Sequence, residues 1–434
     1  MKKLIALLLA AVMLLALAAC AAKPSEPAPA ADAPAQTPAV DEAGAADTEQ
    51  PSETGLSGEI TFATTFTNYA DTTITALAEA FMQENPGTTI HVQAIGDAEQ
   101  EISMMMASNT LPDISPVLSH VTADEFSDYY MPIDGMYTED TLYGYQAGVG
   151  ADGHLYGLNS AAMYFGMVYN KAVFREAGIE KTPVTMEEFL DACEKIKAIG
   201  ATPVACNYKD VWPLAYYANY YASAYEGCPN VMNEQFGKDE LITAGGGYEA
   251  ALTWIGTMND SGYLEPDLMS TNWEGSKTDM ASGKVAMMAC ASFLPQQIID
   301  CGASAEDMGM FPYPGTKAVI LSSDWRYAIS RNTENPELAY AFLNWLWEDG
   351  RFAQATGMTC PLVGFTHSDA PWLDELLGAG VPVLMRDTNS TEVAKMCNEL
   401  EYDFEHSVIQ GYLTAEDKPA YIAEINARWA SGNQ

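Results

Sequence analysis

The stretch Asp152–Gly178 constrains the fold of this 434-residue chain most strongly. It opens on a turn dipeptide, Asp152-Gly153, and continues as an apolar and aromatic run from Leu155 to Tyr169 before a predicted helix. Because strands usually have about 5–6 residues, this run is too long for one strand of one lobe. We therefore expect the chain to cross here from one lobe to another, with a ligand cleft beside the crossing.

The segment before this crossing predicts a β-strand, a helix and a second β-strand. Glu59–Thr64 and Thr89–Ala94 alternate apolar and polar residues, as strands with one buried face do. Between them, apolar residues at helical spacing predict a helix, and Asn85-Pro86-Gly87 ends it. Such a unit implies parallel strands, so the predicted fold class is α/β.

A third strand is predicted after Leu111-Pro112-Asp113-Ile114, which follows a predicted helix over Ala98–Ser108. Ligands of open α/β sheets bind beyond the carboxyl ends of the strands. We therefore place the loop Thr64–Tyr69 and the segment Asp113–Ser115 at that edge of the sheet.

The segment after the crossing carries further helix signals. Thr185 and Glu188 form a predicted capping box, and Cys193 falls on the apolar stripe of the same helix, which favours a core role. Asn335 and Pro336 begin another predicted helix. Gly245-Gly246-Gly247 lacks both the GxGxxG and the GK[ST] pattern, so we interpret it as an ordinary loop rather than a phosphate site.

The first residues have the pattern of an exported protein. Two lysines precede an apolar run, and small residues lead to Leu17-Ala18-Ala19-Cys20, which predicts a signal peptide over residues 1–19. This ending resembles the bacterial lipobox, in which the cysteine is lipidated, for example with palmitate; the alternative is an ordinary signal with an incidental cysteine. Residues 20–57 are rich in Ala, Pro and acidic residues and predict a disordered tether. No later stretch has 18 consecutive apolar residues, so we expect anchoring to the membrane rather than spanning.

Charge and cysteine content argue against several classes of protein and of site. The formal charge is −39, and −41 without Lys2 and Lys3, because 18 basic residues then face 59 acidic ones. This balance argues against binding of nucleic acid. The seven cysteines after Cys20 are scattered and lack CxxC spacing, which argues against a disulfide scaffold, although a pair such as Cys206 and Cys228 is an open alternative. The histidines are scattered too, so we expect no metal site and no cofactor.

Several motifs in order resemble the extracellular solute-binding proteins of ABC importers, in the sugar-binding group that includes maltose-binding protein. The segments that carry the likeness are NPGTTIHVQ (85–93), SNTLPDI (108–114), DGHLYGLN (152–159) with MVYNKAVFREAGI (167–179), TPVTMEEFLDACEKIKAIG (182–200), SGKVAMM (282–288) and AISRNTENPELAYAFLNWLWEDG (328–350). Together they extend from Glu59 to about Phe365.

This resemblance implies a two-lobed, periplasmic-binding-protein-like fold with hinge crossings near Ser160–Met167 and Ala318–Tyr327. Lobe 1 would comprise residues 58–163 and 320–365, and lobe 2 residues 164–319 and 366–434. The chain would be a monomeric receptor, lipid-anchored on the extracytoplasmic face of the cell membrane. It would close about its hinge around a solute and deliver it to permease subunits of the importer.

Sugars present apolar faces and hydroxyl edges, so their sites need aromatic rings and hydrogen-bonding side chains. Trp212 follows a predicted strand and a polar loop, and Trp325 and Arg326 lie on the second crossing. The further candidate contacts are Asn68, Tyr69, Asp113, Asn159 and Trp273. For most of these residues packing or capping is the competing interpretation, and Arg326 could pair with an acidic neighbour. Ser292-Phe293 stands where the family often has Gly-Trp, which puts a typical stacking residue in doubt.

Two alternatives remain open. The solute could be a polyamine, a peptide or a phosphodiester rather than a carbohydrate. In a different class, a secreted glycoside hydrolase needs two suitably spaced carboxylates. The sequence contains no G-x-S-x-G, HExxH or Walker motif, so we expect a binding protein and not an enzyme.

Overall fold

The computed structural model describes residues 55–365 and 370–433, and within these the strands form two sheets. The strands, labelled in chain order, are β1 (Gly58–Thr64), β2 (Thr88–Ala94), β3 (Ile114–Val117), β4 (Gly157–Asn159), β5 (Ala162–Asn170), β6 (Thr202–Ala205), β7 (Val285–Ala291), β8 (Met308–Phe311), β9 (Val319–Ser323), β10 (Arg326–Ile329) and β11 (Val383–Met385). The mixed α/β class predicted from the sequence is confirmed.

The first sheet has the order β2-β1-β3-β10-β4. β1 and β2 are parallel in register from Gly58 opposite Thr88 to Thr64 opposite Ala94, which confirms the predicted unit. β3 is parallel to β1, and β10 is antiparallel to both β3 and β4. β4 therefore runs in the direction of β1 to β3.

The second sheet has the order β11-β9-β5-β7-β6, with β8 also paired to β5. β5 is antiparallel to β7, β8 and β9, whereas β6 and β7 are parallel. β5 exchanges partners along its nine residues: Ala162–Tyr164 pair with β9, and Phe165–Asn170 pair with β7 and β8.

The two crossings lie where the sequence predicts them. The chain leaves the first sheet at Asn159 and enters the second at Ala162. It returns between Ser323 and Arg326. The apolar run from Leu155 to Tyr169 is thus shared between two sheets, which explains its length. By its pairing β9 belongs to the second sheet, whereas the predicted lobe boundary began the return segment at residue 320.

Helices cover the sheets and connect the strands. The α-helices are Thr67–Tyr69, Thr75–Glu84, Ala98–Ser108, Phe126–Tyr129, Lys171–Glu176, Met186–Ala198, Asn219–Glu226, Val231–Gln235, Gly247–Asp260, Trp273–Ala281, Leu294–Asp300, Pro336–Trp347, Arg351–Ala355, Pro371–Gly378, Thr391–Glu399, Ser407–Thr414 and Lys418–Gly432. A π-helical turn, Ala70–Ile74, joins the first two. Short 3-10 turns are Tyr145–Gly148, Tyr208–Asp210, Trp212–Tyr217, Leu268–Ser270, Ala305–Asp307 and Glu348–Gly350.

Local signals explain several of these helices. The Thr185 hydroxyl accepts from Glu188 N and the Glu188 carboxylate accepts from Thr185 N, so the capping box is confirmed. Cys193 is fully buried in that helix, as predicted. The interpretation of Gly245–Gly247 as a loop is corrected in part, because Gly247 begins a helix. The Gly247 amide donates to the Glu226 carboxylate at 2.6 Å.

Each sheet has its own core. Successive side chains of β1 and β10 lie on opposite faces of the first sheet. Phe62 and Tyr327 pack in one apolar cluster, and Ala63 and Ala328 pack in another on the opposite face. The second sheet packs in a larger cluster that includes Phe165, and helices near the carboxyl terminus join it. This separation into cores is the basis for describing two lobes.

The seven cysteines from Cys193 to Cys397 are free in the described part of the chain, and Cys206 and Cys228 form no bond with each other. Within residues 55–365 and 370–433, no helix is long and apolar enough to cross a membrane. The predicted signal peptide, Cys20 and nearly all of the predicted tether lie outside the described residues.

Candidate functional site

The carboxyl edges of the two sheets meet at the crossings. β4 runs with β1 and β3 and ends at Asn159, so the crossing leaves the first sheet from the edge where β1 and β3 end. β5 enters the second sheet beside the ends of β6 and β7, since Phe165 lies opposite Ala291, the last residue of β7. Ligands of α/β sheets bind at such edges. The cleft between the two edges is therefore the candidate site.

The two crossings are hydrogen-bonded to each other at the base of the cleft. Ser160 Oγ donates to Asp324 Oδ2 at 3.0 Å, and Ser160 N donates to Trp325 O at 2.8 Å. Asp324 N donates to Ala161 O at 3.1 Å. Burial raises the pKa of the Asp324 carboxyl to about 6, although the bonds from Ser160 and Trp325 N act in the opposite direction. The base of the cleft thus holds a carboxyl whose pKa is raised above the ordinary aspartate value.

Aromatic side chains form the second-sheet wall of the cleft. Trp212 lies just after β6, and its ring meets that of Trp273 edge to face, with centroids 4.7 Å apart. Phe293 follows β7, with its centroid 6.3 Å from that of Trp273. Trp212 is 39% exposed, which is a large apolar surface to leave in water. We call Trp212, Trp273 and Phe293 the aromatic wall.

The backbone that carries Trp212 is strained. Asn207 has a φ of 53° and Val211 a φ of 63°, and a β-branched residue rarely adopts a positive φ. Strained backbone of this kind is common at ligand sites and persists where neighbouring groups hold it. Here the Glu265 carboxylate accepts from Cys206 N and Asn207 N at 2.9 and 3.0 Å. Burial raises the pKa of Glu265, against the effect of these bonds.

The first-sheet wall is less aromatic. Phe66 follows β1, but its ring packs edge to face on Phe352 of the core, with centroids 5.5 Å apart. Tyr69 is half-buried, and burial together with Asp300 of the opposite wall raises the pKa of its hydroxyl. Asn68 is exposed. This wall therefore offers hydroxyl and amide groups more than open ring faces.

Two cavities have lining residues from both lobes, and Trp212, Trp273 and Phe293 are not among those residues. The larger, about 760 Å³, is lined by Ser119–Ala123 and Arg326 from the first-sheet side and by Arg386 and Asp403–His406 from the second. At its rim Lys395 Nζ lies 2.9 Å from Asp124 Oδ2. The smaller cavity, about 620 Å³, contains Tyr69, Gln296, Asp300, Ser292 and Thr359. Each is large enough for a small ligand.

The arginines of the larger cavity are already engaged with protein groups. Arg326 Nη1 donates to Ala147 O at 2.7 Å, and its guanidinium lies 5.4 Å from the centre of the Phe126 ring. Arg386 pairs with Glu405 and stacks over Tyr220. Both guanidiniums therefore already contact protein groups, while Arg386 Nε is buried without a hydrogen-bond partner.

Several of the predicted contact residues lie in the aromatic wall or at the crossings. Trp212 and Trp273 touch in the aromatic wall, and Trp325 and Arg326 lie at the return crossing. Asn159 lies at the end of β4, where its side-chain amide donates to Tyr143 O and Gly144 O. Its role there is to fix a loop beside the crossing. Whether these residues bind a ligand stays a prediction.

Asp113 is a correction. It precedes β3 and therefore lies at the amino edge of the first sheet, away from the cleft, not at a carboxyl end. Its carboxylate accepts from Thr61 N at 2.8 Å and from the Thr333 hydroxyl, so it joins three segments of the first lobe. This was the capping role that competed with ligand binding.

The candidate contacts predicted from the sequence include neither Glu265 nor Asp324. Glu265 contacts a backbone 59 residues away in sequence, so no local pattern reveals it. Asp324 had a usable signal in the sequence. A lone carboxylate in a crossing segment of otherwise apolar and hydroxyl-bearing residues predicts a hydrogen-bond donor on the other crossing. Arg386 likewise lies in a segment with no recognisable motif.

Comparison with known sequences points to one group of proteins. A family model described as bacterial extracellular solute-binding protein matches residues 67–350. A binding protein of Brucella abortus (strain 2308) is 29% identical over 298 residues, covering 64% of this chain and 70% of that protein. The multiple sugar-binding protein of Streptococcus mutans is 23% identical over 287 residues, covering 64% and 68%.

Solved structures share the fold over most of both chains. A binding protein of an ABC transporter from Bifidobacterium animalis subsp. lactis, in complex with mannobiose, is 25% identical with a TM-score of 0.74, covering 89% of this chain and 97% of that chain. A sugar transporter protein from Bacillus licheniformis, in complex with stachyose, is 18% identical with a TM-score of 0.66, covering 87% and 100%. The second likeness bears on the fold alone.

Proposed function

Because the chain belongs to the bacterial extracellular solute-binding protein family, we propose that it is a lipid-anchored receptor that binds an oligosaccharide and delivers it to the permease of an ABC importer. The observation that carries the sugar assignment is the aromatic wall, where Trp212 is 39% exposed at the carboxyl edge of the second sheet. An exposed ring of this kind suits the apolar face of a pyranose. A protein of the same fold that is 25% identical and holds mannobiose supports this choice.

Closure about the two crossings is the proposed mechanism. The crossings are short, and Ser160 and Asp324 join them, so a change of backbone angles there would move one sheet relative to the other. A ligand that touches both walls would bind the closed form more tightly and shift the equilibrium towards it. The Asp124–Lys395 ion pair already joins the walls at the rim and would favour that form.

A thermal-shift screen tests the sugar assignment. The protein without residues 1–20 is melted with manno-, raffinose-type and chitin-type oligosaccharides, polyamines, peptides and phosphodiesters. A ligand at about 100 times its Kd stabilises the folded form by about 2.7 kcal/mol. We expect one oligosaccharide class to raise Tm; a rise with polyamines or peptides alone would contradict the proposal. Chromatography of the recovered sugar reports cleavage, which would favour the hydrolase alternative.

Lipid anchoring is tested separately at Cys20. We expect the full chain, expressed in a bacterium that lipidates such signals, to partition into the detergent phase and to carry a lipid-modified Cys20 in mass spectra. Cys20→Ser should move the protein to the aqueous phase, whereas Cys301→Ser, which changes an exposed cysteine of the folded body, should not. An unmodified Cys20 in the wild type would mean an ordinary signal peptide.

A further inference from the structure

The segment Asn207–Trp212 connects the end of β6 to the aromatic wall, and its conformation requires support. Val211 holds a φ of 63°, which is unfavourable for a β-branched residue, and Asn207 holds a φ of 53°, in the left-handed region that asparagine adopts more readily. Trp212 follows Val211 directly, so the direction of its ring depends on that strained turn. A change of the backbone angles at Val211 would therefore change the position of the exposed ring relative to Trp273.

Hydrogen bonds from several segments hold this turn. Ser276 Oγ donates to Asn207 Oδ1 at 2.7 Å, Lys209 N donates to Thr271 Oγ1 at 3.1 Å, and Gln410 Nε2 donates to Tyr208 O at 3.2 Å. Glu265 supplies the charged contact, with both carboxylate oxygens on Cys206 N and one of them on Asn207 N. Bonds to a charged acceptor are stronger than neutral ones.

Glu265 is itself held in place. Val204 N donates to Tyr263 O at 3.0 Å, so the segment before Glu265 is bonded to β6. Tyr263 and Leu264 are buried, which leaves the carboxylate little freedom to leave the end of the strand. The order of contacts is therefore β6, Glu265, the amides of Cys206 and Asn207, and finally Trp212.

We propose that Glu265 is a positioning residue for the ligand, which fixes the strained segment Asn207–Val211 and thereby the direction of the Trp212 ring. We call the contact of Glu265 with the amides of Cys206 and Asn207 the brace. The identity of the ligand rests on the proposed function, whereas the existence of the brace does not. Glu265 touches the end of β6 rather than the open face of the cleft, so it acts through Trp212 and not by direct contact.

Amide hydrogen exchange of the ligand-free protein tests the brace. Glu265→Ala should speed exchange at the amides of Cys206 and Asn207, because their acceptor is lost. Glu249→Ala is the matched control, since Glu249 is a second-lobe carboxylate that accepts from a different backbone amide, Gly245 N, at 2.6 Å. It should leave those two amides unchanged. Equal exchange in the wild type and Glu265→Ala would overturn the proposal.

A double-mutant cycle tests the functional part with the oligosaccharide that the screen identifies. We expect Glu265→Ala to weaken binding about tenfold and Glu265→Gln, which keeps one acceptor oxygen, to weaken it less. If Glu265 acts through Trp212, the double variant Glu265→Ala/Trp212→Ala should bind no more weakly than Trp212→Ala alone. Additive losses of affinity in the double variant would overturn the positioning role of Glu265.

The two failures can be told apart. If Trp212→Ala binds like the wild type while exchange at Cys206 and Asn207 still responds to Glu265→Ala, the brace exists but the proposed cleft contact is wrong. If Trp212→Ala weakens binding and Glu265→Ala changes neither exchange nor affinity, the proposed function stands and the positioning role of Glu265 is wrong. Melting curves of each variant confirm that it is folded.

Discussion

The two walls of the cleft differ in how they present their aromatic rings. On the second-sheet side, Trp212 is exposed and rests against Trp273, on a backbone held by a carboxylate. On the first-sheet side, the ring of Phe66 is turned into the core, and Tyr69 is half-buried facing Asp300. One wall thus offers a fixed apolar surface, and the other offers polar groups.

This difference suggests that the two walls contribute to binding at different stages. A preformed aromatic surface loses little conformational entropy when a ligand stacks on it. Polar groups add affinity where their hydrogen bonds replace those to water, so the first wall should contribute after closure rather than at first contact. We therefore expect substitutions on the second wall to weaken binding more than substitutions on the first.

The largest effect is expected for Trp212→Ala. Loss of an aromatic stacking partner should weaken oligosaccharide binding by about 1–3 kcal/mol, and the same range applies to Trp325→Ala at the crossing. Isothermal titration calorimetry measures both. Met104→Ala is a suitable control, because Met104 is 57% exposed and is not among the residues that line the two cavities. Unchanged affinity in both tryptophan variants would place the site elsewhere.

The junction between the walls should have its own pH dependence. The pKa of Asp324 in the folded protein is raised to about 6, above its ordinary value of about 4. Its neutral form therefore favours folding: this stability is fully present below about pH 4 and is lost as the pH rises through 6. Tyr216, Tyr220 and Tyr327 also face this carboxyl, and all three stay protonated in this range.

Asp324→Asn should remove that slope. The stability of the wild type relative to the variant should fall by about 1–2 kcal/mol between pH 4 and 6.5, because Asp324 is partly solvent-accessible and the full shift is not expressed. Urea unfolding at several pH values measures the difference. Parallel curves for the two proteins would contradict a raised pKa for Asp324 at the crossing.

On the first wall, Tyr69→Phe should have a smaller effect on affinity. The hydroxyl shares a cavity with Asp300 and Gln296 of the other wall, so its loss removes at most one hydrogen bond to a ligand, about 0.5–1.5 kcal/mol. Calorimetry beside Trp212→Ala gives the comparison directly. A loss equal to that of Trp212→Ala would mean that both walls share the binding energy.

The sequence predicted the elements better than the contacts. The length of the run from Leu155 to Tyr169, the parallel strands around Asn85-Pro86-Gly87 and the capping box at Thr185 are local patterns, and the structure confirms them. The short strand Val383–Met385 was missed, because it pairs with β9, far away in sequence, and is half exposed.

The site was harder to predict because it depends on which end of a strand a residue occupies. Asp113 was assigned to the wrong edge, since the turn before β3 and the loop after it look alike when the strand has only four residues. Glu265 and the bond from Ser160 to Asp324 join segments 59 and 164 residues apart, which no spacing rule can detect. Trp212 was singled out because a tryptophan after a polar loop is visible locally, and its role in binding stays a prediction.

The smallest effect is expected at the rim, where Asp124 and Lys395 join the walls. The Lys395 ammonium lowers the pKa of Asp124 to about 2, and both side chains are exposed, so the pair should be weak and sensitive to salt. Asp124→Asn should weaken oligosaccharide binding by no more than about threefold at low ionic strength, and the difference should vanish at about 1 M NaCl. Asp191→Asn, which removes an exposed pair within one helix, is the control and should bind like the wild type at any salt. A salt-independent loss in Asp124→Asn would mean that Asp124 contacts the ligand itself, and the first wall would then contribute more than its lack of open rings suggests.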